Sequence, residues 1–505
     1  MRAKNNILEG VWILFPILIF ASYLLYRLYD QSAVLFFFPL DYSNDLSSVM
    51  AQLYFLAEYG FHAIIPHWYN GSFQLFQFYY PGWFYFALPL YWLTSNVQYA
   101  WYMALILVYL LAFLSLIIFR KTFGLSRTEA SLFFLVFFAN PLSIGNFIRL
   151  GRTVEFFSWF LFLSLSLLLF YYRGRSFDRY ILLFIPLFTL LLLSHPTVLI
   201  LFGFVLLSFL LTKPMREKIV LILLGFVSFI FSSFWFVPYL LNISKGSILS
   251  TYHLNTDSLF FFSGGWLFLN LVWAVFALSF LLLFYSYWKQ KRFSYHELLF
   301  FSPVLFIAFL FLSRLVFFIP GLQQIFPDTY TLFFLFFSLY LLFNIKVDFY
   351  PLFFRRFFPI FFTLLAVFSV VFSFYYTPLF SKHTQLEHDT LLLLEEVDGR
   401  FVMFTTVSKP TSYSKAYYSY APIYLNLSTP GGWSPQSVPL SYREDLDSLS
   451  TYFRSGNYKS FYTLLEHFET HYFIAYDDKC EDASLFVFFE LVGRRGQACL
   501  FYASF

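Results

Sequence analysis

Charge is scarce in this chain. Asp, Glu, Lys and Arg make up 12% of its 505 residues, about half the share found in soluble domains. That scarcity excludes an ordinary water-soluble fold, because so apolar a chain cannot cover itself with polar surface. Cysteine is scarcer still. Cys480 and Cys499 are the two present, which excludes a disulfide-dense scaffold. The pair would either bond in an oxidising compartment or stay reduced and buried. Basic clusters of the kind that bind nucleic acid are missing. Lys and Arg are missing altogether between Arg27 and Arg120, although Asp30, Asp41, Asp45 and Glu58 lie there. No small-residue cleavage pattern follows the apolar run Val11–Tyr29, and the run is too long for a signal peptide. It reads as a retained first helix.

What is present is 60% hydrophobic residues, with 79 Phe and 39 Tyr, and a mean hydropathy of +0.68. Lipid must therefore be part of the solvent. Further apolar segments run at about 97–119, 129–147, 156–172, 180–194, 197–212, 219–241, 265–287, 298–319, 331–345 and 357–377. A spanning helix needs about 20 residues, and the pair at 180–212 is short enough to be one helix or two. Charge decides. Arg173, Arg175 and Arg179 precede the pair and Lys213, Arg216 and Lys218 follow it, so both flanks are retained inside and the chain crosses and returns. His195-Pro196 is then the outer apex, since proline disfavours helical geometry in the residue before it. The same parity sets a single crossing at 97–119. Phe73–Leu93, broken by Pro81 and Pro89, then lies along the outer interface.

Eleven crossings from an inside N-terminus keep seventeen Lys and Arg inside, against three (Arg149, Arg152 and Lys245) in outer loops before residue 378. The sequons at Asn70, Asn242 and Asn426 all fall outside. The expected fold is mainly α. A polytopic bundle of about 11 transmembrane helices spans 1–377, with an outer loop at about 30–96, and a small exported α/β domain covers 378–505. The location is a cell membrane, with a cytoplasmic N-terminus and an extracytoplasmic C-terminal domain. In that domain the patterning predicts a helix at Gln385–Val397, strands at Arg400–Val407 and Ile423–Leu427, and a helix at Ser448–Thr470. A strand follows at Tyr472–Tyr476, then a turn at Asp477–Lys479. Thr429–Gln436 reads as an exposed turn whose Trp433 either packs or meets a sugar face.

Ionisable groups near a membrane are costly and suggest sites. They gather on the outer side. The first loop offers Asp41, Asp45, His62, His67 and Trp68. Arg149, Arg152 and Glu155 follow the third helix, His195 tops the hairpin, and His253 and Asp257 lie in the next loop. Arg314 sits within the ninth apolar segment and needs an anionic partner, and Asp328 follows. Each has a plain alternative. Asp45 suits an N-cap as well as a general base, Asp41 a solvated loop, and His195 a packed apex. Arg149 and Arg152 suit headgroup snorkelling as well as a phosphate site. An enzyme using a polyprenyl-phosphate sugar needs this combination, with cations to grip and stabilise a leaving phosphate and a carboxylate to deprotonate an acceptor hydroxyl.

The run Pro39-Leu-Asp41-Tyr-Ser-Asn-Asp45, then Gly60, Trp68-Tyr-Asn-Gly71, Phe78-Tyr-Tyr-Pro81 and Pro430-Gly-Gly-Trp433, resembles the GT-C superfamily of membrane glycosyltransferases. It is similar to prokaryotic members labelled as related to 6-pyruvoyl-tetrahydropterin synthase, although no pterin-enzyme domain or zinc-histidine cluster is present. The resemblance implies an inverting hexosyl or pentosyl transferase. The donor would be a polyprenyl-phosphate-linked sugar and the acceptor a glycan, lipid or protein, with membrane lipids as partners and no nucleic acid. Asp45 and Asp41 would be catalytic. Arg149, Arg152, Glu155, His195, Arg314, His67, Trp68 and Trp433 would bind substrate. No cofactor is specified, and a divalent cation is left open. Similar chains carry a histidine two or three residues after the loop aspartate; here those positions are Ser47 and Ser48, which argues against histidine or metal assistance. A non-catalytic glycolipid-binding or envelope-assembly scaffold is the alternative. A transporter would need mid-membrane polar residues and repeated halves, which are not evident.

Overall fold

The computed structural model describes residues 18, 21–22, 24–40, 45–138, 140, 144–242, 267–345, 382–404, 413–433 and 437–505. The expected crossing at 357–377, most of the one at 11–29, and Asp41, Lys245, His253 and Asp257 lie outside these residues. So does the side chain of Arg149. The protein is mainly helical, with a small sheet near the C-terminus. Among the described residues five helices are long and apolar enough to cross a membrane: Val97–Phe123, Thr153–Tyr171, Met215–Leu241, Leu271–Gln290 and Tyr295–Leu312.

Two helices form the centre. Thr153–Tyr171 is buried along its whole length, and Pro327–Asn344 is buried from Pro327 to Leu341. Phenylalanine packs them together. Phe162 meets Phe336 edge to face at 5.3 Å and Phe170 meets Tyr340 at 4.7 Å, with Phe137 against Phe336 at 5.9 Å. Such pairs add about 0.5–1.5 kcal/mol each beyond their burial. Much of the Phe excess, which composition alone assigns to lipid contact, is therefore core.

The two central helices run parallel, because their ends are tied at both levels. At the first turns, Arg152 bonds Asp328. At the far end, Arg173 donates to the Tyr340 hydroxyl at 2.8 Å and pairs with Glu297. The hairpin expected around His195 forms, with helices Phe184–Leu192 and Pro196–Thr212. His195 lies 3.9 Å from Glu155 at one end, while Lys213 Nζ donates to the Tyr172 carbonyl at the other. The chain thus runs along the central helix and back.

Other expectations need correction. The segment 129–147 is not one helix. Arg127–Phe138 has 12 residues, about 18 Å, and a separate short helix spans Ile144–Arg149; Pro141 interrupts the run. The ninth apolar segment stops at Leu312, so Arg314 is not intrahelical. It has a left-handed backbone (φ 62°) at the start of the 3-10 turn Leu315–Phe318. Gly82–Thr94 is a helix despite Pro89, and its start is pressed into the bundle. Gly82 N donates to Leu193 O at 2.7 Å, and a Cβ on Gly82 would stand 2.5 Å from Ser194 Oγ.

In the C-terminal unit the helix Gln385–Leu394 opens with a Thr384–Glu387 capping box. Strand Phe401–Met403 pairs in parallel with Tyr472–Tyr476. That strand pairs antiparallel with Ala498–Ala503, itself paired with Phe489–Arg495. Ile423–Leu427 is not a strand: helix Tyr413–Leu425 runs through it and includes Pro422. The helix expected over 448–470 is two, Leu440–Ser455 and Tyr458–His467. They are divided by Gly456 in the left-handed region and Asn457, whose side chain caps the second. Asp478–Ser484 is a helix rather than a turn. Cys480 and Cys499 are bonded, Cα to Cα 5.8 Å.

Candidate functional site

Three segments far apart in sequence meet where the central helices begin. Leu46–Tyr59 starts at Asp45, Thr153–Tyr171 starts after Arg152, and Pro327–Asn344 starts with Pro327 and Asp328. Asp45 occupies the N-cap position, but its carboxylate accepts no capping hydrogen bond. Its backbone is held instead, with Asp45 N donating to Leu150 O at 3.1 Å. The side chain is exposed. Protein nevertheless stands closely enough around it to push its carboxyl above the usual range by desolvation, opposed first by Arg152 and then by Lys415.

Beside it lies a closed ionic cluster. Arg152 Nε donates to Glu155 Oε2 at 2.9 Å and Nη1 to Asp328 Oδ2 at 3.0 Å. Thr329 Oγ1 donates to the other Glu155 oxygen at 2.6 Å. The guanidinium also lies over the Phe147 and Phe326 rings, at 4.6 and 4.8 Å. Glu155 is fully buried, and such a charge is tolerable only when paired and hydrogen-bonded. His195 completes the group. Its Nδ1 lies 2.7 Å from Thr197 Oγ1. Burial lowers its pKa, with Glu155 opposing and Arg152 reinforcing.

Asp45, Arg152, Glu155 and His195 therefore lie together where the central helices begin. One role changes. Arg152 is committed to two carboxylates, Glu155 and Asp328, so its donors are directed at protein acids rather than at a ligand phosphate. It acts as a positioning residue. It also fills the space between Glu155 and Asp328 where a cation would sit, and among the described residues no three His, Cys, Asp or Glu side chains gather as metal ligands.

His67, Trp68 and Trp433 belong to a seam between the first loop and the C-terminal unit. Thr429 N donates to His67 O at 2.9 Å and Tyr69 N to Gly431 O at 3.1 Å. Trp68 is fully buried, its indole N–H donating to Tyr418 O at 2.7 Å. It packs the seam and has no face left for a ligand. His67 Nδ1 donates to Leu427 O at 3.0 Å, which makes Nε2 the acceptor of the Tyr59 hydroxyl at 2.7 Å. Trp433 is half-buried and donates to Lys415 O at 2.9 Å. Asn70 Nδ2 donates to Phe468 O at 2.8 Å, so this sequon amide is engaged. Gly431 and Gly432 let the two segments approach: a Cβ would lie 2.5 Å from Tyr418 Cε2 or 2.9 Å from Tyr69 Cε2.

Lys415, Thr329 and Gly151 are site residues that sequence reasoning did not single out, and Asp328 was noted there only among the outer ionisable groups. Lys415 interacts electrostatically with Asp45 and lies 5.5 Å from the Trp433 ring centre. Nothing local flags it, because its partner is some 370 residues away in the chain. Asp328 did carry a signal, an acid beside a proline at a helix start. No protein-family model matches the chain, and no curated protein does either.

Proposed function

We propose that this protein is a membrane glycosyltransferase, moving a sugar from a polyprenyl-phosphate donor to an acceptor hydroxyl at the outer face. The observation that carries the reading is Asp45: an accessible, poorly hydrated carboxylate held by its backbone at the mouth of the two central helices. Desolvation brings its pKa nearer to the working pH, as a general base requires. In this reading Asp45 takes the acceptor proton as the new C–O bond forms at the sugar. The bond to phosphate breaks with its electron pair on the leaving oxygen, and Lys415 offsets that charge. Arg152 holds the floor of the site through Glu155 and Asp328. The outward orientation is supported by the charge asymmetry of the loops and by the Cys480–Cys499 bond, which persists in oxidising compartments.

The test is transfer from a polyprenyl-phosphate sugar in proteoliposomes. Asp45→Asn is expected to abolish transfer and Asp45→Glu to retain part of it. Full transfer by Asp45→Asn removes Asp45 as the base, and a wild-type protein that transfers no sugar sinks the reading. One observation favours a second reading, a non-catalytic glycolipid-binding scaffold: Arg152 is spent on internal carboxylates. That reading expects the wild-type protein to bind the donor without turnover.

A further inference from the structure

A cavity of about 300 Å³ opens in the seam, walled by Tyr69 of the first loop, Met403 and Phe404 at a strand end, Tyr418, and helix Leu440–Ser455. Small-molecule sites begin at about this volume. The helix contributes Arg443, Leu446, Asp447, Ser450 and Arg454. Their spacing of three and four residues puts them on one face, so this charged face lines the concavity, with Arg443 half-buried and Asp447 and Arg454 exposed at its rim. Lys415 adds a third cation.

Three cations stand against one carboxylate. That carboxylate neutralises little, since Arg443 Nε and Asp447 Oδ2 are 4.0 Å apart. Lys415 and Arg454 have no carboxylate within ion-pair distance among the described residues. A positive excess in a walled cleft concentrates anions, and a guanidinium matches the geometry of phosphate and carboxylate. The hydroxyls of Tyr69 and Tyr418 are spent on Trp433 O and Met403, so these residues offer ring surface to an occupant. Cations beside aromatic faces, in a space of this size, match a sugar carrying a negative group.

We propose that this cavity binds a sugar-sized ligand bearing an oxyanion, either a phosphate or a carboxylate. Lys415 links it to Asp45, which makes it the anion-binding part of the transferase site. That link rests on the function proposed above, whereas the binding does not.

Calorimetric titration of the full-length protein in detergent tests it, using glucose 6-phosphate, glucuronate, glucose and inorganic phosphate. The two anionic sugars are expected to bind at least about tenfold tighter than glucose, as charge-assisted hydrogen bonds require, and more weakly as salt rises. Glucose 6-phosphate ahead of glucuronate supports a phosphate-bearing ligand; the reverse order supports an acidic sugar. The double substitution Arg443→Gln/Arg454→Gln is expected to lower affinity for both while leaving the melting temperature unchanged. Asp447→Asn is expected to raise it, a direction that misfolding does not produce. Glucose binding as tightly as the anionic sugars, or unchanged anion binding in the double variant, overturns the proposal. Inorganic phosphate binding as tightly as glucose 6-phosphate overturns the sugar component. Wild-type protein that binds the anion but transfers no sugar overturns the transferase reading and leaves the binding site standing.

Discussion

Gly151 is pressed against the backbone of Asp45: a Cβ at position 151 would stand 2.9 Å from Asp45 N and 2.6 Å from Leu46 N. The residue also has φ +68°, a conformation that side chains disfavour. The contact ties the candidate base to the loop carrying Arg152. Gly151→Ala must move either the base or the loop. Transfer is expected to fall at least about tenfold, the scale on which small displacements at a reacting centre act. Gly174→Ala is the control, since nothing lies within 4 Å of its Cβ position. Equal activity in the two variants would show that the approach has no bearing on the site.

Arg152 is the structural keystone of the same region. Removing it as Arg152→Met takes a shared cation from Glu155 and Asp328, at a cost of about 3–5 kcal/mol for breaking a buried pair from one side. Neutralising all three, as Arg152→Met/Glu155→Gln/Asp328→Asn, is expected to recover much of that loss, because no buried charge then lacks a partner. Thermal melts in detergent measure both. A triple variant no more stable than Arg152→Met would contradict the cluster's closed accounting.

The seam has its own pH dependence. Burial lowers the pKa of His67, with its backbone bond to Leu427 opposing. The undocked state then binds protons that the docked state refuses, so docking weakens as pH falls through the ordinary histidine value of about 6.5. One proton allows at most about a tenfold change per pH unit. The protection of residues 427–433 against hydrogen exchange, corrected for the intrinsic pH dependence of the amides, is expected to fall between pH 7.5 and 5.5 in the wild type. His67→Gln, which keeps hydrogen-bonding capacity without titrating, is expected to flatten that response.

Legibility followed the range of the interaction involved. The His195 turn, the helix after Thr384 and the strand Tyr472–Tyr476 were readable because charge flanks, helical periodicity and a short apolar run bounded by polar residues are local signals. Ile423–Leu427 misled because a β-branched, aromatic run suits a strand, while packing against helix Leu46–Tyr59 makes it the last turns of a helix. The hairpin Phe489–Arg495 to Ala498–Ala503 was missed; its first strand alternates poorly, with most of it exposed and only Phe489 buried. Arg152 was found as a charge in an apolar context, but its commitment to Asp328 depends on a pairing 176 residues long. Lys415 could not be found at all from its own neighbourhood. Polar residues announce themselves in a membrane protein; their partners do not.

The last expectation concerns Asp45 itself. A general base works only when deprotonated, and desolvation raises the pKa of this carboxyl above its ordinary 3.8. Transfer is therefore expected to decline on the acid side, with the descending limb displaced upward from the usual aspartate range. Arg152 and Lys415 each hold the limb down by favouring the charged form. Arg152 cannot be removed cleanly, since the ionic cluster depends on it. Lys415 can, because no carboxylate pairs with it among the described residues. Lys415→Gln should displace the acid limb of the transfer rate further upward while lowering the plateau, since the cation also offsets the leaving phosphate. A substitution acting through misfolding would lower the plateau and leave the limb in place. The pH profile thus separates a cation that tunes Asp45 from one that only packs on Trp433, and an unmoved limb would remove Lys415 from the site.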